Sequence, residues 1–343
     1  MLTRLKNLAT LHRRKVPPVG ATPHAVVHTE NKWRLLRYDP RGQGLAIHTP
    51  VLLVPSLINR HYVLDLTPGK SFAEYLVGQG FDVFCVDWGR PDAEDRHLTF
   101  DDIADRAIGR ALRKACELSG QPRVHVLGYC LGGTLTAIHT ALHPDQVASL
   151  CCVAAPIAFG EAGVMRRWLT APGFDIDALV DGFGLLPATL LQFSFQMLRP
   201  TLGLSKAVNL VDRAWNDKFL DGWLALETWA NDNVAIPGEF YRTYVRDLYQ
   251  RDLLRQGQLL VSGQRVDLGS IRCPLLVVTF SVDAIAPSDC CAPLLDLAGG
   301  SDRRRVHFDG SHVGGMTSSP AAKGLWPQLA GFWAGLANPP MRH

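Results

Sequence analysis

The chain has 343 residues, 47% hydrophobic and 20% charged, and 35 basic against 32 acidic side chains leave a net charge of +3. That composition is ordinary globular usage and excludes a disordered chain, a collagen-like repeat and a coiled coil. So small a basic excess gives no case for nucleic acid as a partner. No run of about 18 uncharged apolar residues is present, so no transmembrane segment is expected.

The first residues, MLTRLKNLATLHRRKVPP, carry basic side chains but no apolar core of a secretory signal. Leu2, Leu5, Leu8 and Leu11 recur every three residues, as in a short helix lying on the main domain or, as a second reading, touching a hydrophobic or anionic surface. Eight cysteines without a signal peptide read as reduced thiols in the cytoplasm. No Cys/His ligand spacing stands out, and no metal is expected.

Val51–Val54, Val83–Val86, Val124–Leu127 and Leu150–Val153 are short β-rich runs, as in a parallel sheet covered on both faces. Helical patterns lie between them, around Ser71–Gln79, Phe100–Ser119 and Gly133–His143, with a helix start at Thr99 and Asp102. This alternation predicts an α/β fold. From 157 to 265 it gives way to amphipathic stretches rich in Leu, Phe and Trp, read as a helical cap insertion. Strand signals return at Leu275–Phe280 and Val306–Phe308, before a final helix near Ala321–Leu336. The expected organisation is an arm (1–30), a core in two parts (31–156 and 266–343) and the cap between them.

The chemistry centres on Gly128-Tyr129-Cys130-Leu131-Gly132-Gly133, which follows a strand and opens a helix. This is the G-x-S-x-G nucleophile elbow with sulfur in place of oxygen. Such a turn is sharp and strained, so the residues two positions either side must be small. The helix start favours a thiolate. The Leu131 amide is the first candidate oxyanion donor. The second is expected from the loop after the first central strand, at Leu57 or Ile58, with Ser56 and Asn59 doing turn chemistry. Acid and base follow the nucleophile in this architecture. Asp283 sits past the end of strand Leu275–Phe280, and His312 lies on the glycine-flanked loop after the last strand. Asp289, Asp309, His125, His139, His143 and His307 read as structural, while His61 and His97 remain open alternatives in loops.

Several segments together resemble the polyhydroxyalkanoate synthases, especially the short two-component type, within the α/β-hydrolase superfamily. They are Pro55 to Leu66, Val86-Asp87-Trp88-Gly89-Arg90-Pro91 continuing to Asp102, the elbow, Trp229 to Pro237, Asp283 and Gly310-Ser311-His312. The likeness runs from about Glu30 to Leu336. It implies Cys130 as acyl-carrying nucleophile, His312 as base and Asp283 as its partner. It also implies 3-hydroxyacyl-CoA as substrate and a polyester as product. No permanently bound cofactor is implied. A second subunit, a homodimer and a place at the surface of the polyester granule are. No cluster of basic residues marks a site for the CoA phosphates. Phe193, Phe195, Trp215, Trp223 and Trp229 would be a lid against water, or simply the core of a small helical unit. A hydrolase with the same triad (a thioesterase, a depolymerase or a dienelactone hydrolase-like enzyme) is the alternative function. A non-catalytic granule-binding subunit is the third.

Overall fold

The computed structural model describes residues 2–40, 45–198 and 202–337. Its frame is one eight-stranded sheet built from β1 (His24–Glu30), β2 (Trp33–Tyr38), β3 (Ile47–Val54), β4 (Phe81–Asp87), β5 (Val124–Tyr129), β6 (Val147–Val153), β7 (Leu275–Val282) and β8 (Arg303–Ser311). The spatial order is β1-β2-β4-β3-β5-β6-β7-β8. The β1–β2 and β2–β4 pairs are antiparallel and the rest of the ladder is parallel. The interior strands are the continuous apolar runs, because helices cover both faces.

The sheet begins at His24, inside the stretch the sequence reads as an arm. β1 is mostly exposed and β2 reads Trp-Arg-Leu-Leu-Arg-Tyr, so neither shows a continuous apolar run. The arginines of β2 are tied down by acids of β4: Arg34 to Asp87, and Arg37 to Asp82 at 2.9 Å.

Helix α1 (Leu2–Thr10) contacts the extension between β6 and β7. Arg4 donates to the Asp212 carbonyl at 2.7 Å, Asn7 to that of Ala214 at 2.8 Å, and Arg14 beyond the helix pairs with Asp217 and Asp221. The expectation of a helix on the main domain is thereby corrected; polar and charged side chains make these hydrogen bonds, and Leu2 and Leu5 stay exposed.

Helix α2 (Phe72–Gly78) is capped by Ser71, whose hydroxyl accepts from the Glu74 amide at 2.9 Å. Thr99 and Asp102 cap each other reciprocally, as expected. They open a π-helical turn, Asp102–Ala107, that runs into α3 (Ile108–Ser119). Helix α4 (Leu131–Leu142) is buried along nearly its whole length, between the sheet and the α3 side. The C-terminal helix Ser319–Ala337 packs with α2 on the other face.

Between β6 and β7 stand α5 (Gly163–Leu169), α6 (Ile176–Phe183), α7 (Ala188–Leu198), α8 (Leu202–Arg213), α9 (Asp217–Asn231) and α10 (Gly238–Thr243). Much of this layer is loosely covered: Phe193, Met197, Leu204, Val208 and Trp215 are exposed. Among the described residues no helix is long and apolar enough to cross a membrane.

Candidate active site

The end of β5 and the start of α4 leave no room for side chains around Cys130. A Cβ on Gly132 would stand 2.1 Å from the Val54 carbonyl oxygen, one on Gly133 2.4 Å from the Ala155 Cβ, and one on Gly128 2.3 Å from the Thr136 hydroxyl. The turn itself is strained. Cys130 has φ +56° and ψ −130°, a conformation that L side chains rarely adopt. Its amide donates to the Val153 carbonyl at 2.9 Å, and α4 begins at once behind it. Three glycines and one strained residue therefore place the sulfur at the mouth of the sheet.

His312 comes to the same point from the loop after β8. Its Nδ1 lies 2.7 Å from Asp283 Oδ2, and both side chains are almost fully buried. The other carboxylate oxygen, Oδ1, accepts from the amides of Ile285 at 2.9 Å and Ala286 at 2.8 Å, which fixes the acid. With Nδ1 committed, Nε2 is left for the sulfur. Burial pushes the His312 pKa down. Electrostatic interaction with Cys130 and Asp283 and hydrogen bonds to both outweigh it, and the net direction is up.

Cys130, Asp283 and His312 thus converge. Asp309 instead accepts from the Ser281 hydroxyl at 2.6 Å, and Asp289 sits in the short helix Ser288–Cys291. His125 bonds Ser149, and His307 bonds Thr279. His61 is turned to Asp87 at 3.0 Å. Of the oxyanion candidates, Leu131 opens α4, while the Ile58 amide donates to the Ser56 hydroxyl at 3.2 Å and so belongs to the turn; Leu57 is buried beside it.

A narrow crevice of about 20 Å³, lined in part by Ser56, Arg60, Tyr129, Cys130, Trp229 and His312, is the open space at this point. That is room for a water-sized group. Two residues matter here in ways the sequence did not reveal. The Tyr129 hydroxyl donates to the His312 carbonyl at 2.9 Å and anchors the histidine loop. A bulky residue beside the nucleophile was the only signal. Asp87, buried, gathers Arg34, Arg60 and His61. Burial pushes its carboxyl up, but these three partners prevail and hold it below the ordinary range.

The aromatic residues read as a lid or as a small helical core divide. Trp229 is buried, lines the crevice and donates to the Arg60 carbonyl at 2.9 Å. Phe193 and Trp215 are exposed, and Phe195 packs against the core cluster. The segment after Trp229 clamps the Pro55–Tyr62 loop. Asn59 pairs with Asn233, Tyr62 donates to Asp232 at 2.6 Å and the Val234 amide to the Ile58 carbonyl at 3.3 Å. The scattered motifs of the sequence form one connected shell.

Comparison with known proteins agrees. The chain matches the alpha/beta hydrolase fold over residues 49–303 and the N-terminal region of poly-beta-hydroxybutyrate polymerase (PhaC) over 16–76. It is 35% identical to the poly(3-hydroxyalkanoate) polymerase subunit PhaC of Allochromatium vinosum, over 92% of this chain and 88% of that protein. Against the subunit of the same name from Haloferax mediterranei the identity is also 35%, over 92% of this chain but 64% of the relative's length. Among solved structures, a putative lipase from Sulfolobus solfataricus superposes with a TM-score of 0.61 at 14% identity, covering 94% of this chain and 97% of that one, which speaks for the fold alone. On these matches the chain belongs to the poly(3-hydroxyalkanoate) polymerase PhaC family, built on the alpha/beta hydrolase fold.

Proposed function

We propose that the protein is an acyltransferase that polymerises 3-hydroxyacyl groups from CoA into a polyester, with Cys130 carrying the acyl chain. The observation that carries this reading is a cysteine on a strained elbow beside a buried His–Asp pair, in a chain of the PhaC family. In the first step Cys130 Sγ attacks the thioester carbonyl and the CoA thiolate leaves, taking the proton held by His312. Leu131 and Leu57 are the backbone donors proposed for the oxyanion. One thioester replaces another, so the acyl group stays activated. Acylation also removes the thiolate charge that holds the His312 proton. The imidazole then takes the proton of an incoming 3-hydroxyl, and attack of that oxygen on the acyl-cysteine forms the oxoester while the C–S bond breaks and Cys130 leaves as the thiolate, a downhill step. A serine nucleophile would lose that drive at the first step.

Transfer to an alcohol over hydrolysis requires the bound acyl group itself to fill the water-sized space at the sulfur, with Trp229 closing one side of the crevice. CoA enters as a thioester substrate and not as a resident cofactor. A second subunit, a homodimer and the granule surface in the cytoplasm complete the proposal. The exposed apolar side chains of α7 and α8 supply a face for such contacts. Incubation with 3-hydroxybutyryl-CoA, with and without a second subunit, tests the reading. Free CoA together with insoluble polymer is expected. Free CoA with free hydroxy acid would make the protein a thioesterase, and no CoA release in either arm would make it a binding subunit.

A further inference from the structure

Away from the elbow, Asp105, His139 and His143 turn three donor atoms toward one point. His139 and His143 are one helical turn apart at the end of α4, and Asp105 reaches them from the π-helical turn that opens α3. Asp105 Oδ1 lies 2.7 Å from His143 Nε2 and 3.7 Å from His139 Nδ1, and one ligand atom from each residue falls within 4.8 Å of the others. Donors held about 2.0–2.1 Å from a tetrahedral zinc ion stand roughly 3.3 Å apart, and the two measured separations bracket that value.

A second observation is independent of the clustering. The His139 side chain is 1% exposed, and its Nδ1, 3.7 Å from the Asp105 carboxylate, makes no well-formed hydrogen bond, the Ala104 backbone being the further polar group that acts on the ring. An unpartnered buried nitrogen is costly and rare. A metal ion would satisfy it. The surroundings are those of ligands already oriented: His139 Nε2 lies 3.4 Å from Gln146 Oε1, and Asp105 Oδ2 accepts from the Ser262 hydroxyl at 2.7 Å. His143 is 30% exposed, which leaves a way in from solvent.

We propose that Asp105, His139 and His143 bind one divalent transition-metal ion, zinc being the ion that suits two imidazoles and a carboxylate. The sequence reading expected no metal and gave both histidines structural roles, because the ligands come from two helices and not from one compact motif. The site stands about 13 Å along α4 from the elbow. Its part is therefore structural: it fastens the end of α4 to the opening of α3 and, through Ser262, to the turn joining the short strands Leu260–Val261 and Gln264–Arg265.

Zinc chloride titrated into tag-free, chelator-stripped full-length protein tests this by metal content and melting temperature, independent of turnover. One ion per chain and a rise in melting temperature are expected. His143→Asn, at a partly exposed position, is expected to keep the zinc-free melting temperature and weaken binding by at least about tenfold. Ser262→Ala is expected to weaken it by a smaller factor, as loss of an orienting partner does. Cys130→Ser is expected to leave binding unchanged. No saturable binding, or the same affinity in His143→Asn and Asp105→Asn as in the parent, would overturn the proposal and assign any bound zinc to the thiols.

Discussion

At the scale of single residues, the strain at Cys130 and the charge around His312 are the physical core of the account. A residue with φ +56° outside glycine stores about 1–3 kcal/mol. Replacing Cys130 by Gly and by Ala should therefore invert the usual order. The Gly variant is expected to be the more stable by about 1 kcal/mol in denaturant titration, and both should lack turnover. An Ala variant as stable as the Gly one would mean the elbow is not strained. Cys130→Ser should fold normally and lose most turnover. Cys151→Ser should keep it, since that cysteine is fully buried in β6 and burial pushes its thiol well up. Total loss in a folded Cys151→Ser protein would reveal a second essential thiol.

The pH dependence has a definite sign. His312 has a raised folded-state pKa, so its imidazolium contributes stability that is fully present below about 6.5, the unfolded value. That contribution is lost as pH rises through the folded value. Of the influences that raise it, the Cys130 charge comes first. Histidine NMR titration of Cys130→Ala should show His312 titrating at lower pH than in the parent. An unchanged titration would show that no thiolate–imidazolium pair exists.

At the scale of elements, the elbow was legible because three glycines around one nucleophile at a strand–helix junction admit few other geometries. Asp283 and His312 were legible because strand ends in an α/β sheet collect such groups. The two antiparallel strands at the edge were not: β1 is mostly exposed, and in β2 Arg34 and Arg37 interrupt the apolar pattern and only their partners Asp87 and Asp82 explain them. The aromatic content of the 157–265 stretch was legible but its contacts were not: composition does not say that Trp229 reaches the crevice while Phe193 and Trp215 face outward. The clamp of Asn233 and Asp232 on the Pro55–Tyr62 loop makes a prediction at this scale. Asp232→Ala removes acceptors used by Tyr62 and Arg90. It should raise hydrogen exchange in the 55–62 loop and increase the share of acyl groups lost to water. Unchanged exchange there would mean the clamp does not hold the loop.

At the scale of the whole molecule, the space at Cys130 holds a water-sized group, whereas a bound acyl-CoA needs a pocket of about 300–1,000 Å³. Movement of the layer over the sheet is the expected way for substrate to enter. α7 and α8, with their exposed Phe193, Met197, Leu204 and Val208, are the elements of this layer proposed to move. Hydrogen exchange over α7 and α8 should rise on addition of substrate. No change there during turnover would place the entrance elsewhere.

The most direct measurement is peptide mapping of the protein quenched with acid during turnover of 3-hydroxybutyryl-CoA. The account predicts a hydroxyacyl thioester on the peptide containing Cys130 and none on the other seven cysteines. Release of CoA with that peptide unmodified, or an acyl group found on a different residue, would contradict it.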